Sequence, residues 1–221
     1  MFWKKQQLNY QLDQSILLDT NLRNMSFTVF DTETTGFAIA AEDGLIEIGA
    51  VLVENRVVTD CIFQTFVKPS FPIPMHITKL TSIEQQHVEN APSPLEAIES
   101  YFQFFKDTKS SGWIGHHLSF DTMVLKRELQ RVKCTYEEPS SFDTFDIINY
   151  LNPSWDQLDL AEYARIFGTQ RFERHRALGD ALTTAHLFVE LLKRLETEGI
   201  ITLSDLLRVK HNKKHQNVAL F

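Results

Sequence analysis

Asp31, Glu33, Asp121, His175 and Asp180 are the residues of this chain whose types and spacing could do chemistry. They lie in three short stretches: Phe-Asp-Thr-Glu-Thr-Thr-Gly at 30–36, Gly-His-His-Leu-Ser-Phe-Asp at 115–121 and His-Arg-Ala-Leu-Gly-Asp at 175–180. A fourth, Glu-Ile-Gly-Ala-Val at 47–51, adds the acid Glu47. Hydrolysis of a phosphodiester by two hard cations takes about three or four carboxylate oxygens converging on ions about 3.5–4 Å apart. One ion activates a water and the other stabilises the leaving oxygen. Asp31, Glu33, Asp121 and Asp180 meet that count, and the imidazole of His175 can accept the proton of the attacking water.

The spacing constrains where these groups must sit. Asp31 and Glu33 are two apart at the end of a β-favouring run, so their side chains share one face of a strand. On its own an Asp-x-Glu pair is more often a solvated strand end. Asp121 and Asp180 could equally be charges that favour the N-terminus of a helix. What lifts the set above these plainer roles is that all four acids fall at strand ends or helix starts, where an α/β sheet gathers its site residues. His175 lies five residues before Asp180, a spacing that does not share a helix face. It is expected in the loop ahead of that helix, and not as a metal ligand.

The elements that position these residues read as a mixed α/β sheet with helices packed on it. Phe27 to Phe30 is a first strand ending in the Thr-Thr-Gly turn, and strands at about 44–53 and 56–67 follow, joined by a tight turn at Glu54-Asn55. The segment from Pro69 to Pro94 is a long connection with a short helix near Ile83 to Val88. A helix at about 93–107, a strand at 113–116, a helix at 120–132 and a fifth strand near 141–144 come next. Helices at about 144–151, 157–167 and 179–196 complete the body, the last with Ala181, Ala185, Phe188, Leu192 and Leu195 on one stripe. Leu8, Leu12 and Ile16 are spaced four apart and predict an amphipathic helix in an N-terminal extension, 1–25. The catalytic body is then 26–197, and 198–221 holds a short helix at 203–209 followed by a basic tail, Lys210 to His215.

Composition bounds the function classes. A chain of 221 residues, 43% hydrophobic, can bury a sizeable core in one domain. Its 17 Phe are first of all core residues, Phe37 and Phe120 excepted. A net charge of -7 argues against a nucleic-acid binder working through a broad basic face. It does not argue against an enzyme whose clustered carboxylates hold cations. Cys61 and Cys134 are isolated, which indicates neither a zinc site nor a disulfide framework and reads as buried structural thiols in a reducing cytoplasm. Lys4 and Lys5 precede only the short run Ile16-Leu17-Leu18, so neither a signal peptide nor a membrane span is expected.

Taken together, the motifs resemble the DEDDh 3′-to-5′ exonuclease family, which includes the epsilon proofreading subunit of bacterial DNA polymerase III and ribonuclease T. The likeness runs from about Phe27 to Leu195. It implies a ribonuclease H-like fold, a five-stranded mixed sheet flanked by helices, and two divalent cations, Mg2+ or Mn2+, at Asp31, Glu33, Asp121 and Asp180. His175 would be the general base. The backbone of Thr34, Thr35 and Gly36 would face the terminal nucleotide, Phe37 and Phe120 would pack on its base or sugar, and Glu47 would have a supporting part. His117 stands where the family often has Asn, and Leu80-Thr81-Ser82-Ile83 lacks a Gly that the family often carries. Asp143, Asp146, Asp156 and Asp159 are read as lying outside the site, Asp143 at a strand end and Asp159 at a helix start.

The resulting expectation is a cytoplasmic enzyme that releases nucleoside 5′-monophosphates from single-stranded or frayed DNA 3′ ends, acting alone or as a DNA polymerase subunit. An exoribonuclease of the same chemistry is the alternative. A non-catalytic polymerase-docking module is a third reading, and such modules lose acids that this chain keeps.

Overall fold

The computed structural model describes residues 6–8, 10, 16–39 and 41–216, with Gln6 and 211–216 as backbone alone. The strands are β1 Gln6–Gln7, β2 Ser26–Thr34, β3 Leu45–Glu54, β4 Val57–Phe66, β5 Trp113–Gly115, β6 Cys134–Thr135 and β7 Ser141–Asp143. The helices are α1 Met75–Thr81, α2 Gln85–Val88, α3 Pro94–Asp107, α4 Ser119–Arg131, α5 Thr144–Leu151, α6 Leu160–Phe167, α7 Ala177–Thr197 and α8 Leu203–Gln216. A 3-10 turn spans Leu22–Asn24.

Five strands form the main sheet in the order β4-β3-β2-β5-β7, with β4, β3 and β2 antiparallel and β5 and β7 parallel to β2. Alternation along the strands divides the molecule into two layers. Phe27 and Val29 of β2 and Val51 and Val53 of β3 join a core with α5, α6, α7 and α8. Phe30 of β2 and Ile48 and Ala50 of β3 join a second core with α3 and α4. Because period 2 continues along β2, Asp31 and Glu33 look towards the α7 layer, while Thr32 looks towards α4.

Most of the expected elements are present within a few residues of where the periodicity puts them, and the differences have local causes. The β3–β4 turn is Asn55-Arg56, both at positive φ (51° and 61°), the geometry that matches strand twist in a two-residue hairpin. The Pro69–Pro94 connection carries an additional helix, α1. It ends at Ser82, whose φ of 59° is the left-handed conformation a Gly would take there. The C-terminal helix does not stop at Val209 but continues through the basic Lys210–His215 stretch to Gln216.

The N-terminal helix is contradicted where the chain is described. Gln6–Gln7 is extended and pairs in parallel with Cys134–Thr135, and Leu8 and Tyr10 are buried against α3. Leu12 falls outside the described residues. Cys134 is buried as expected, but Cys61 is exposed, because β4 is an edge strand with its outward face in solvent.

Candidate active site

The geometry of the site is set by how α7 begins. Gly49 of β3 is paired with Asp31 of β2, and a Cβ at Gly49 would lie 2.1 Å from Leu178 N, so the first turn of α7 rests directly on the sheet backbone. Only glycine permits that approach. Gly179 does the same one layer up, since a Cβ there would lie 2.0 Å from Glu173 O. The 173–176 loop is thereby folded against α7, with His175 in the left-handed conformation at φ 58°. Its backbone N–H donates to Asp180 Oδ2 at 3.0 Å. Arg174 Nη1 donates to Asp180 Oδ1 at 2.6 Å.

Glu47 fixes the same loop from the sheet side. It is paired with Glu33 across the β2–β3 ladder and is fully buried. Its carboxylate accepts two hydrogen bonds from Arg176, one from Ala177 N at 2.9 Å and one from Gln64 Nε2 at 2.7 Å. Arg176 also lies 5.4 Å over the Phe66 ring. Glu47 thus caps the N-terminus of α7 and has all its acceptor capacity engaged by the protein. The supporting part expected of it fits this arrangement.

Asp121 enters from the other layer, in the first turn of α4. Its Oδ1 accepts from Thr32 N at 2.9 Å and Thr32 Oγ1 at 2.6 Å, which ties α4 to the end of β2 between Asp31 and Glu33. The loop before α4 is held by Asp143, which accepts from His117 N at 3.0 Å and Leu118 N at 2.9 Å while also capping α5 through Phe145 N. His117 is at φ 59°, a strained value that those two bonds sustain. Asp143 is therefore a strand-end residue, as the sequence suggested, but one that positions the loop ahead of Phe120 and Asp121.

Some of these side chains border a pocket of about 350 Å³, whose wall does not include Asp121. Asp31, Glu33, His175 and Asp180 lie on its wall, with Thr34, Gly36, Phe37, His117 and Phe120. Phe37 is 83% exposed, with its ring 5.7 Å from that of Phe120. Exposure of that degree sets Phe37 apart from the core aromatics. Thr35 is buried and turned away, its hydroxyl joining Asp43 Oδ1 and Gly44 N. Ile77, Leu80 and Thr81 of α1 close one side, and Asp159 and Leu160 at the start of α6 another. Asp159 caps α6 through Glu162 N, as its position in the sequence suggested, but it does not lie outside the site as expected, because the start of α6 faces the pocket and puts Asp159 on its wall.

The chain matches the family described as Exonuclease (RNase_T) over residues 28–188. It belongs to that family. Its relatives include a DNA polymerase III PolC-type protein of Caldanaerobacter subterraneus subsp. tengcongensis, 33% identical over 89% of this chain and 14% of that protein. The 3′-5′ exonuclease DinG of Bacillus subtilis is 30% identical over 86% of this chain and 20% of that protein. The chain thus spans a fifth or less of the length of these two curated relatives. Among solved structures, the nuclease domain of 3′hExo, a DEDDh family member bound to rAMP, superposes with a TM-score of 0.68 at 18% identity, covering 79% of this chain and 95% of that one. Exonuclease X in complex with 5′ overhanging duplex DNA superposes at 0.65 and 21% identity, covering 83% and 98%. These likenesses establish the ribonuclease H-like exonuclease fold.

Within this exonuclease fold the donor set suits hard divalent cations. Burial and mutual repulsion raise Asp31, Glu33 and Asp121 above their ordinary titration. Asp31 is raised well above the carboxylate range by desolvation, then by Asp121, Asp180 and Glu33. Glu33 is pushed up to about 8 by desolvation and then by Asp180 and Glu47. Asp121 is pushed up to about 7 by desolvation, against the hydrogen bonds from Thr32. A cation would relieve both causes at once. One ligand atom each from Glu33, His175 and Asp180 lies within 4.8 Å of the others, a grouping that takes in His175, which was not expected as a ligand, and does not take in Asp31 or Asp121. Reading the sequence alone missed Thr32, Arg174, Arg176 and the loop-holding part of Asp143. The two arginines flanking His175 were the available signal.

Proposed function

We propose that this chain is a 3′-5′ exonuclease domain that hydrolyses the terminal phosphodiester of single-stranded or frayed DNA and releases nucleoside 5′-monophosphates. The observation that carries the reading is the convergence of Asp31, Glu33 and Asp180 with His175 on one pocket wall that also presents the exposed Phe37 beside Phe120. Two divalent cations, Mg2+ or Mn2+, held by Asp31, Glu33, Asp121 and Asp180, would supply an activated water and neutralise the leaving oxygen. His175 accepts the proton of the attacking water, one of its ring nitrogens lying within 4.8 Å of carboxylate oxygens of Glu33 and Asp180. Phe37 and Phe120 grip the terminal base or sugar by stacking, which is tolerant of base identity.

DNA is favoured over RNA by the name of one relative, DNA polymerase III PolC-type. That name favours action beside a DNA polymerase, and a cytoplasmic location is part of the same proposal. Among the described residues no helix is long and apolar enough to cross a membrane.

The test is product analysis with a 3′-labelled oligonucleotide, as DNA and as RNA of matched sequence, with Mg2+ or Mn2+. Mononucleotide release that stops with chelator and with Asp31→Ala is expected, faster on DNA. No release from either strand would overturn the enzymatic reading, and faster release from RNA would replace the substrate.

A further inference from the structure

Arg174 is the one Arg or Lys on the pocket wall among the described residues. Its neighbour in sequence space, Arg176, is locked to Glu47 through two nitrogens, at 3.1 and 2.8 Å. Among the described residues the side chain of Arg174 makes one hydrogen bond, from Nη1 to Asp180 Oδ1, and it is 31% exposed. A guanidinium has five N–H donors, so most of the donor capacity of Arg174 is uncommitted beside the pocket. Its planar fork also matches phosphate oxygens better than any other side chain.

The partner of Arg174 is itself contested. Asp180 Oδ1 takes Arg174 and Oδ2 takes His175 N, which engages both oxygens of an acid that stands with Glu33 and His175 in the cation-sized cluster. A divalent cation drawing on Asp180 competes with the guanidinium for the same carboxylate, and like charge drives the two cations apart. The released guanidinium is then beside the place where the terminal nucleotide's phosphate must lie for attack.

We propose that Arg174 exchanges partners, leaving Asp180 for an oxygen of the substrate phosphate when a divalent cation takes Asp180. This rests on the exonuclease reading of the site and adds a phosphate-binding residue to it. One side chain then has opposite effects on two ligands: it weakens cation binding and strengthens phosphate binding.

Isothermal titration of the whole chain with Mn2+ alone, and then with thymidine 5′-monophosphate at saturating Mn2+, reads both effects without turnover. For Arg174→Gln, Mn2+ is expected to bind about fivefold more tightly and the nucleotide about tenfold more weakly, the scale of one charge-assisted contact. Arg174→Lys keeps the charge but loses the fork, so Mn2+ affinity stays within about twofold of wild type while the nucleotide still binds more weakly. That second variant decides the matter if the first does not fold. Both affinities falling, neither changing, or Mn2+ alone changing in Arg174→Gln would overturn the exchange. Wild-type protein that binds no Mn2+ would sink the exonuclease reading and this inference with it. Wild-type binding left unaltered by Arg174→Gln sinks this inference alone.

Discussion

Arg176 Nη2 lies 2.8 Å from Glu47 Oε1, joining residues 129 positions apart in the chain. The pair does for α7 what a local capping residue does elsewhere, because Glu47 also takes the Ala177 N–H. Removing the acid leaves a partly buried guanidinium and an open helix terminus. Glu47→Ala is expected to cost about 3–5 kcal/mol, the range for breaking a buried pair. Urea unfolding monitored by circular dichroism measures it. A loss under about 1 kcal/mol would mean that α7 is anchored by its apolar stripe alone.

Gly49→Ala tests the close approach of α7 to the sheet. The new Cβ would meet Leu178 N at 2.1 Å and Ala177 C at 2.3 Å, backbone atoms that have no side-chain freedom to yield. A stability loss of about 1–3 kcal/mol is expected. Because α7 carries Asp180 and the loop carries His175, nuclease activity should fall further than the fraction of unfolded protein explains. Unchanged kcat in the folded variant would separate the glycine from the site.

The raised carboxyls make stability depend on pH in a definite direction. Glu33 titrates at about 8 and Asp121 at about 7 in the folded chain, against about 4 for free carboxyls. Between those limits the folded state binds more protons than the unfolded state, so stability falls as pH rises from about 5 to 8. In chelator, the melting temperature should decline across that window, and added Mg2+ should restore it most at the alkaline end. Glu33→Gln removes one of the charges, and at pH 8 in chelator it is expected to be about 1–2 kcal/mol more stable than wild type. A flat pH profile, or a less stable Glu33→Gln, would contradict the account.

Phe37 stands 83% exposed against Phe120, so its truncation has little folding consequence. Phe37→Ala should change stability by less than about 0.5 kcal/mol. It should weaken binding of a single-stranded oligonucleotide by about 1–3 kcal/mol, the value of one base–aromatic stack. Fluorescence anisotropy with Ca2+ in place of Mg2+ reads the binding. Equal affinity would assign the ring to surface cover.

Asp31 and Glu33 share a face of β2 and Asp121 and Asp180 open helices because periods of 2 and 3.6 are local properties, and these were legible in the chain. So was the expectation that His175 precedes its helix. Other relationships were not, since nothing local encodes them. That Glu47 would be neutralised by Arg176, that Asp143 would hold the His117 loop, and that Arg174 would pair with Asp180 depend on which sheet face α7 lands upon and how closely. Gly49 and Gly179 decide that distance through contacts with Leu178 and Glu173, which only the folded chain brings together. The N-terminal segment makes the same point: Leu8 has helical spacing from Leu12 and Ile16, yet Gln6–Gln7 pairs with Cys134–Thr135. A marginal helix propensity gives way to a strand partner and a buried Leu8 and Tyr10. Residue types and their periods determined the acids and the layers; long-range packing decided which charges meet.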